Sequence, residues 1–180
     1  MNAVILFGSP RKEGNTIQLT GLFSQTLKER GHNVRIVHLN DLNISPCQGC
    51  LACLPEGICK INDDMKDIGK YIMESDIIVY ATPIYWFSPS SQLKLVIDRS
   101  LAFLDENYES RIKGKKAVTI MTCADEDMET CRPALDMFRK TFSLLGLYYA
   151  GSIEATGCEQ KGAVKDEYKE KTKTLAESIV

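Results

Sequence analysis

The regular alternation of short apolar runs with segments of helical periodicity most constrains the fold of this 180-residue chain. Five apolar runs are predicted to be strands, at residues 3–7, 34–39, 76–81, 116–121 and 148–154. Helices are predicted from residue 15 to a stop at Gly31, and then at 64–73, 93–101, 128–145 and 165–179. Strands without polar alternation are typical of a parallel sheet covered by helices on both faces. The pattern therefore predicts a doubly wound α/β fold with a five-stranded parallel sheet.

The chain order and length of these elements favour the flavodoxin-like strand order 2-1-3-4-5. In such sheets, ligands bind beyond the carboxyl ends of the strands, near the point where the strand order reverses. The loops after strands one, three and four are therefore the expected functional loops. With 44% hydrophobic and 26% charged residues, we expect residues 1–180 to form a single domain, with a cysteine-rich loop at 45–62.

Composition and charge exclude several classes of partner. The net charge of -2 and the isoelectric point near 5.8 argue against nucleic acid or an anionic membrane bound by bulk electrostatics. No segment is long and apolar enough to predict a membrane span, and no hydrophobic signal segment is recognisable. The sequence therefore leads us to expect a cytoplasmic protein.

The loop after the first strand, residues 8–16, has the features of a phosphate site. It joins a buried strand to a helix N-terminus, where unpaired N–H groups and the helix dipole favour an anion. Ser9, Asn15 and Thr16 add hydrogen-bond donors, and Arg11 adds a cation. The loop lacks a Gly-Lys-Ser/Thr ending and a G-x-G-x-x-G pattern, so nucleoside triphosphates and dinucleotides lose support. An ordinary strand-to-helix turn capped by Asn or Thr remains an alternative.

Four cysteines follow the second strand with the spacing C-x2-C-x2-C-x5-C: Cys47, Cys50, Cys53 and Cys59. Such spacing lets one compact loop offer four thiolate ligands, as iron-sulfur sites require. A structural zinc site and thiols without a metal remain alternatives. A disulfide framework is disfavoured, because the chain has seven cysteines, an odd number, and no recognisable signal segment.

Five motifs occur in order along the chain: Gly8-Ser-Pro-Arg with Gly14-Asn-Thr, Pro46-Cys-x-x-Cys, Ile61-x-Asp-Asp-Met, Thr82-Pro-Ile-Tyr and Leu93-Lys-x-x-Ile-Asp-Arg. The set resembles the NADPH-dependent FMN reductase group of flavodoxin-like proteins. Within that group it is similar to the iron-sulfur flavoproteins, whose compact cysteine motif has the same spacing. The resemblance extends through nearly the whole chain.

The resemblance implies an FMN site and a 4Fe-4S cluster. It assigns the FMN phosphate to Ser9, Arg11, Asn15 and Thr16, and the cluster to the four loop cysteines. The residues that it places against the ribityl chain and the isoalloxazine ring are Pro83, Ile84, Tyr85, Trp86, Thr122, Cys123 and Ala124. A flat ring requires apolar or aromatic walls, although Tyr85 and Trp86 could equally be core or interface residues.

A flavin accepts electrons in pairs and can release them singly, whereas a cluster transfers one at a time. We therefore expect electron transfer between a reduced carrier, either ferredoxin or NAD(P)H, and a small-molecule or protein acceptor. No catalytic side chain is required, because the cofactors supply the chemistry. The resemblance also implies a homodimer or homotetramer. The alternatives are a clusterless NAD(P)H-dependent FMN or quinone reductase and a zinc-stabilised interaction module without enzymatic activity.

Several other residues are assigned structural roles. Asp98 and Arg99 are expected to form an ion pair at a helix end, and Asp63 and Asp64 to cap the following helix. The remaining cysteines are interpreted as buried small hydrophobic residues: Cys123, Cys131 and Cys158. Residues 125–127 are all acidic where many relatives carry a glycine-rich turn, and we expect them either to face solvent or to lower the flavin potential.

Overall fold

The computed structural model describes residues 1–179. Its sheet contains five long parallel strands: β1 Asn2–Phe7, β2 Asn33–His38, β3 Ile77–Tyr85, β4 Lys116–Thr122 and β5 Tyr148–Ala155. Their order across the sheet is β2-β1-β3-β4-β5, with every neighbouring pair parallel. The predicted fold class and strand order are thereby confirmed. A two-residue strand, Ser88–Pro89, pairs antiparallel with the end of β3.

The helices are α1 Asn15–Glu29, α2 Met65–Glu74, α3 Ser91–Asp98, α4 Arg132–Leu144 and α5 Asp166–Ser178. Short 3-10 turns lie at Leu39–Asp41, Ser100–Phe103 and Met128–Cys131. Side chains of α1 and α5 pack against one face of the sheet, and those of α2, α3 and α4 pack against the other. Within residues 1–179, none of the helices is both long and apolar enough to cross a lipid bilayer.

The two cores form because successive strand residues point to opposite faces of the sheet. In β1, Val4 and Leu6 belong to the core beneath α2, α3 and α4, whereas Ile5 and Phe7 belong to the core beneath α1 and α5. All four side chains are fully buried. Burial of each such side chain contributes about 1.5–3 kcal/mol, so a polar residue at either face of β1 would be strongly destabilising.

The third strand extends further than its sequence indicated. The prediction ended this strand at Ala81, but pairing with β4 continues through Thr82 and Pro83, and β3 ends at Tyr85. The chain then reverses at Trp86 and Phe87, whose φ angles are 49° and 62°. Turns with this backbone usually contain Asn-Gly, because left-handed conformations are unfavourable for bulky residues.

The predicted ion pair between Asp98 and Arg99 is wrong. Asp98 instead accepts a hydrogen bond from Lys94 on the exposed face of α3. Arg99 Nη1 lies 2.5 Å from Asp63 Oδ2, and both side chains are buried. Adjacent residues of a helix point in different directions, so one carboxylate can face solvent while the next side chain turns inward. Asp63 also accepts the Ser45 N–H at 2.8 Å, which ties the start of the cysteine-rich loop to its end.

The expected capping of α2 is only partly correct. Asp63 Oδ1 accepts the Met65 N–H at 3.2 Å, whereas Asp64 Oδ2 accepts the Asn43 N–H at 2.7 Å. Burial opposes ionisation of Asp63, but hydrogen bonds from Arg99 and from two backbone N–H groups hold its pKa below the ordinary value for Asp. Asp63 therefore remains charged inside the protein.

We expect Asp63→Asn to lower the free energy of unfolding by about 3–5 kcal/mol at pH 7, because it leaves Arg99 buried beside a neutral partner. Lys94→Ala, which removes the exposed pair with Asp98, should change it by less than about 1 kcal/mol. The pKa of Asp63 is lower in the folded protein than in the unfolded chain, where it is about 3.9. The charged Asp63 therefore stabilises the fold fully above a pH of about 3.9, and this stabilisation is lost as the pH falls through the pKa of the folded state. Urea unfolding at several pH values would measure the effect of each substitution and its pH dependence. Equal losses of stability for the two variants would contradict a stabilising buried pair between Asp63 and Arg99.

Candidate functional site

A cavity of about 440 Å³ opens beyond the carboxyl ends of β1, β3, β4 and β5. Its size lies within the usual range for small-molecule sites. All the residues predicted to contact FMN line this cavity except Trp86. The loop after β5 contributes Cys158, Glu159 and Lys161, which the sequence motifs did not indicate. The predicted strand order could have indicated these residues, because it places the loop after β5 at the same edge of the sheet as the loop after β4.

The first loop brings uncapped backbone N–H groups to the cavity. No side chain caps the N-terminus of α1, and no acidic residue lies in its first turn. Arg11 borders the cavity, and Ser9 Oγ accepts the Arg11 N–H at 3.1 Å. Ser90 Oγ donates to the Gly8 carbonyl at 2.6 Å. A Cβ atom on Gly8 would lie only 2.8 Å from Ser90 Oγ. Glycine is therefore required where the loops after β1 and β3 meet.

Asn15 and Thr16 hold the surrounding loops together. The Asn15 amide donates to the Cys158 and Gln160 carbonyls at 2.8 Å each, and Asn15 Oδ1 accepts the Gly162 N–H at 2.8 Å. Thr16 Oγ1 lies 2.7 Å from the Thr122 hydroxyl. The Asn15 amide hydrogens are thus already used, so this residue can offer an anion only its backbone N–H.

The end of β3 and the end of β4 form the apolar part of the cavity wall. Pro83, Ile84 and Tyr85 line one part, and the residues after β4 line another. Trp86 does not line the cavity, because the chain reverses at this residue and leaves its side chain 93% exposed at the hairpin tip. Contact between Trp86 and a flavin therefore remains a prediction.

The three acids after β4 face solvent, which is one of the two arrangements expected. Asp125 accepts hydrogen bonds from the Asp127 N–H and the Thr130 hydroxyl, which hold its pKa below the ordinary value. Glu126 pairs with Lys165 at 2.6 Å. Asp127 accepts the Glu129 N–H at the start of a 3-10 turn. None of the three acids lines the cavity.

The four loop cysteines border a separate, small cavity of about 20 Å³, together with Arg99 and Leu101. Cys47 and Cys50 are exposed, whereas Cys53 and Cys59 are half-buried. Within residues 1–179, no three His, Cys, Asp or Glu side chains are gathered in a metal-binding arrangement. The loop packs against residues that follow α3, since Arg99 donates to the Ser45 carbonyl at 3.3 Å and Arg111 donates to the Leu54 carbonyl at 2.6 Å.

Arg99 is the charged residue at the cysteine cavity. It is 2% exposed, and its Nε and Nη2 atoms have no hydrogen-bond partner among the described residues. Burial opposes its charge, but Asp63 and the nearby Cys59 thiol hold its pKa above the ordinary value. Cys59 nevertheless does not complete a hydrogen bond to either unpartnered atom. The donor set suits a thiolate-bound metal group, and a buried cation with two unpartnered nitrogen atoms suits an anionic occupant.

Asn15 offers a direct test of how this site is assembled. We expect Asn15→Ala to lower the free energy of unfolding by about 1–3 kcal/mol, because it leaves backbone groups of the loop after β5 without partners. The control is Asn107→Ala, at an exposed position whose side chain makes no hydrogen bond within residues 1–179. Urea unfolding measures both variants. A loss no larger than that of the control would show that the three bonds contribute nothing.

Residues 1–158 match the family described as NADPH-dependent FMN reductase. An iron-sulfur flavoprotein of Archaeoglobus fulgidus is 35% identical over 124 residues, which cover 69% of this chain and 55% of that protein. An iron-sulfur flavoprotein of Methanocaldococcus jannaschii is 35% identical over 130 residues, covering 72% and 67% respectively. The matched region thus spans little more than half of the first relative.

A solved FMN-dependent NADH-azoreductase from Bacillus anthracis, in complex with FMN, aligns with a TM-score of 0.79 over 99% of both chains. Its sequence is only 15% identical, so this likeness concerns the fold alone. The family match covers most of the chain, and it agrees with the resemblance carried by the five sequence motifs. The chain therefore belongs to the NADPH-dependent FMN reductase family, a group of flavin-dependent oxidoreductases.

Proposed function

We propose that this protein is an FMN-dependent oxidoreductase that transfers electrons from a reduced carrier, NAD(P)H or ferredoxin, to a small-molecule or protein acceptor. The observation that carries this proposal is the convergence of four loops on one cavity at the carboxyl edge of the sheet. Family membership supports FMN as the ligand. A cytoplasmic location, a single-domain organisation and a homodimer or homotetramer remain predictions.

The phosphate of FMN would bind at the N-terminus of α1. The helix dipole and the uncapped N–H groups there favour an anion, and Arg11 adds a positive charge at the cavity. Asn15 and Thr16 contribute by holding the loops in position, since their side chains bond within the protein. The site would thus bind phosphate mainly through backbone groups and one guanidinium.

The isoalloxazine ring would lie between the end of β3 and the residues after β4. Pro83, Ile84 and Tyr85 supply an apolar and aromatic part of the wall, and Thr122, Cys123 and Ala124 supply another part of it. When bound, FMN supplies the electron-transfer chemistry. The protein residues then position the ring and exclude water from one part of it.

A comparison of FMN with riboflavin tests the phosphate site. We expect FMN to bind the apoprotein more tightly than riboflavin, and Arg11→Ala to weaken FMN binding by about 10- to 100-fold, because a charge-assisted hydrogen bond is lost. Riboflavin affinity should not change, since riboflavin has no phosphate. Quenching of flavin fluorescence provides the measurement.

Lys12→Ala is the matched control, because Lys12 pairs with Asp41 at 2.7 Å and does not line the cavity. Equal affinity of the wild-type protein for FMN and riboflavin would contradict a phosphate site in this loop. Failure to bind either flavin would contradict the proposed function itself.

We also propose that Cys47, Cys50, Cys53 and Cys59 hold a 4Fe-4S cluster. The cysteine spacing supports this, and relatives named as iron-sulfur flavoproteins match the chain. Arg99 adds a physical argument. A buried cation with two unpartnered nitrogen atoms is unfavourable alone, but it would be stabilised by an anionic cluster. The four cysteines border a cavity of about 20 Å³, and two of them, Cys47 and Cys50, are exposed to solvent.

The rival function is a clusterless FMN or quinone reductase. The small cavity and the lack of a gathered set of metal ligands within residues 1–179 favour this alternative. In that case the loop cysteines would be thiols, and the proposed FMN site would be unchanged. The two functions therefore differ only in what the cysteine-rich loop binds.

Metal analysis of protein isolated without oxygen distinguishes these possibilities. We expect about four iron and four sulfide ions per chain, with broad visible absorption beneath the flavin bands that bleaches on reduction. Cys53→Ser should abolish or strongly reduce the iron, because it removes one of four ligands. Cys158→Ser is the matched control and should retain the full amount, since Cys158 lies outside the loop.

Flavin without iron would instead support the clusterless reductase. Zinc without flavin would support the interaction module that the sequence left open. An iron content unaffected by Cys53→Ser would contradict the proposed ligand set.

A further inference from the structure

Of the three cysteines outside the cysteine-rich loop, Cys123 and Cys158 line the cavity of about 440 Å³, and Cys131 contacts Cys123 behind its wall. Cys123 follows β4, Cys131 ends the 3-10 turn before α4, and Cys158 lies in the loop after β5. The Cys123 and Cys131 sulfur atoms are 3.6 Å apart, and both residues are buried. The Cys158 N–H donates to the Cys123 carbonyl at 2.8 Å. Residues that are scattered in the sequence thus form a second thiol cluster.

We propose that Cys123 and Cys131 form a redox-active dithiol that closes reversibly to a disulfide at the wall of this cavity. A disulfide requires a sulfur–sulfur distance of about 2.05 Å, so the two atoms must approach by about 1.5 Å. Residues 124–129, which connect them, are exposed and contain no strand or α-helix. This segment can therefore adjust while the sheet and α4 remain in place.

The two thiols differ in access to the cavity. Cys123 is one of the residues that line the cavity, so it is the member of the pair nearer to an oxidant that enters there. Cys131 is completely buried and does not line the cavity. This difference assigns Cys123 as the attacking thiol and Cys131 as the resolving thiol.

The hydrogen bond between the two cysteines reinforces this assignment. The Cys131 thiol donates to Cys123 Sγ, which lowers the pKa of Cys123 even though burial and the acids at 125–127 oppose ionisation. The same bond, together with burial, raises the pKa of Cys131. Burial raises the pKa of Cys158 to about 11, which makes it a poorer source of thiolate. Cys158 is therefore a neighbour of the pair and not a member of it.

The reaction with an organic disulfide balances in two steps. The Cys123 thiolate attacks one sulfur of the reagent, which forms a mixed disulfide and releases one thiolate. Cys131 then loses its proton and attacks Cys123 Sγ, which forms the Cys123–Cys131 bond and expels the second thiolate. The two cysteines lose two electrons, and the organic disulfide gains them to become two thiols. An external dithiol reverses the reaction.

The proposal requires neither FMN nor a cluster, so it can be tested on flavin-free protein. The folded chain is treated with oxidised glutathione, its remaining thiols are alkylated, and it is digested with a protease that cleaves after Glu. Glu126 and Glu129 separate Cys123 from Cys131, and Glu154 separates Cys131 from Cys158. Mass spectrometry of the peptides therefore identifies which sulfurs are joined.

We expect the wild-type protein to yield the Cys123 and Cys131 peptides joined, with the loss of two hydrogens. Cys131→Ser should instead accumulate glutathione on Cys123, because the resolving thiol is missing. Cys158→Ser, the matched control, should behave as the wild type does. Circular dichroism verifies that each variant is folded.

Alkylation of both Cys123 and Cys131 in the treated wild-type protein would overturn the proposal, and this result requires no substitution. A bond between Cys123 and Cys158 would also overturn it. Because FMN is absent from the experiment, either result is independent of whether the flavin function is correct.

Discussion

The parallel pairing of β1 with both β2 and β3 determines where this protein can bind a ligand. The chain leaves β1 towards α1 on one face of the sheet, and it leaves β3 towards α3 on the other face. The two connections diverge, so a crevice opens between them at the carboxyl edge. Gly8 and Ser90 meet at its base in a contact that allows no side chain at residue 8. The position of the cavity thus follows from backbone pairing.

The sequence predicted the parts of the fold that depend on local patterns. Apolar runs identified the five strands, and their alternation with helices predicted the strand order that the structure confirms. The end of β3 was missed because Thr82 and Pro83 are typical of loops, whereas their pairing with β4 depends on a distant strand. The ion pair of Arg99 was misassigned for the same reason. Its partner, Asp63, is far away in the sequence but adjacent in space.

The candidate site shows the same limit at the level of single side chains. The sequence predicted ten of the fifteen residues that line the cavity, because loops that follow parallel strands share one edge. It did not predict what each side chain does there. Asn15 has the residue type of a phosphate ligand, but its amide binds two carbonyls in the loop after β5. Those bonds form only after α1 and β5 have been brought together by the sheet, so no local pattern could indicate them.

The two groups of cysteines in this chain have different neighbours, and this difference separates the chemistry proposed for them. The loop cysteines lie beside the buried guanidinium of Arg99, whose two unpartnered nitrogen atoms suit an anionic metal group. The sulfur atoms of Cys123 and Cys131 lie 3.6 Å apart, and the hydrogen bond between them lowers the pKa of Cys123 and raises that of Cys131, which suits one attacking and one resolving thiol. The groups that the fold brings to each sulfur, more than cysteine spacing alone, therefore distinguish the thiols proposed to bind metal from those proposed to form a disulfide.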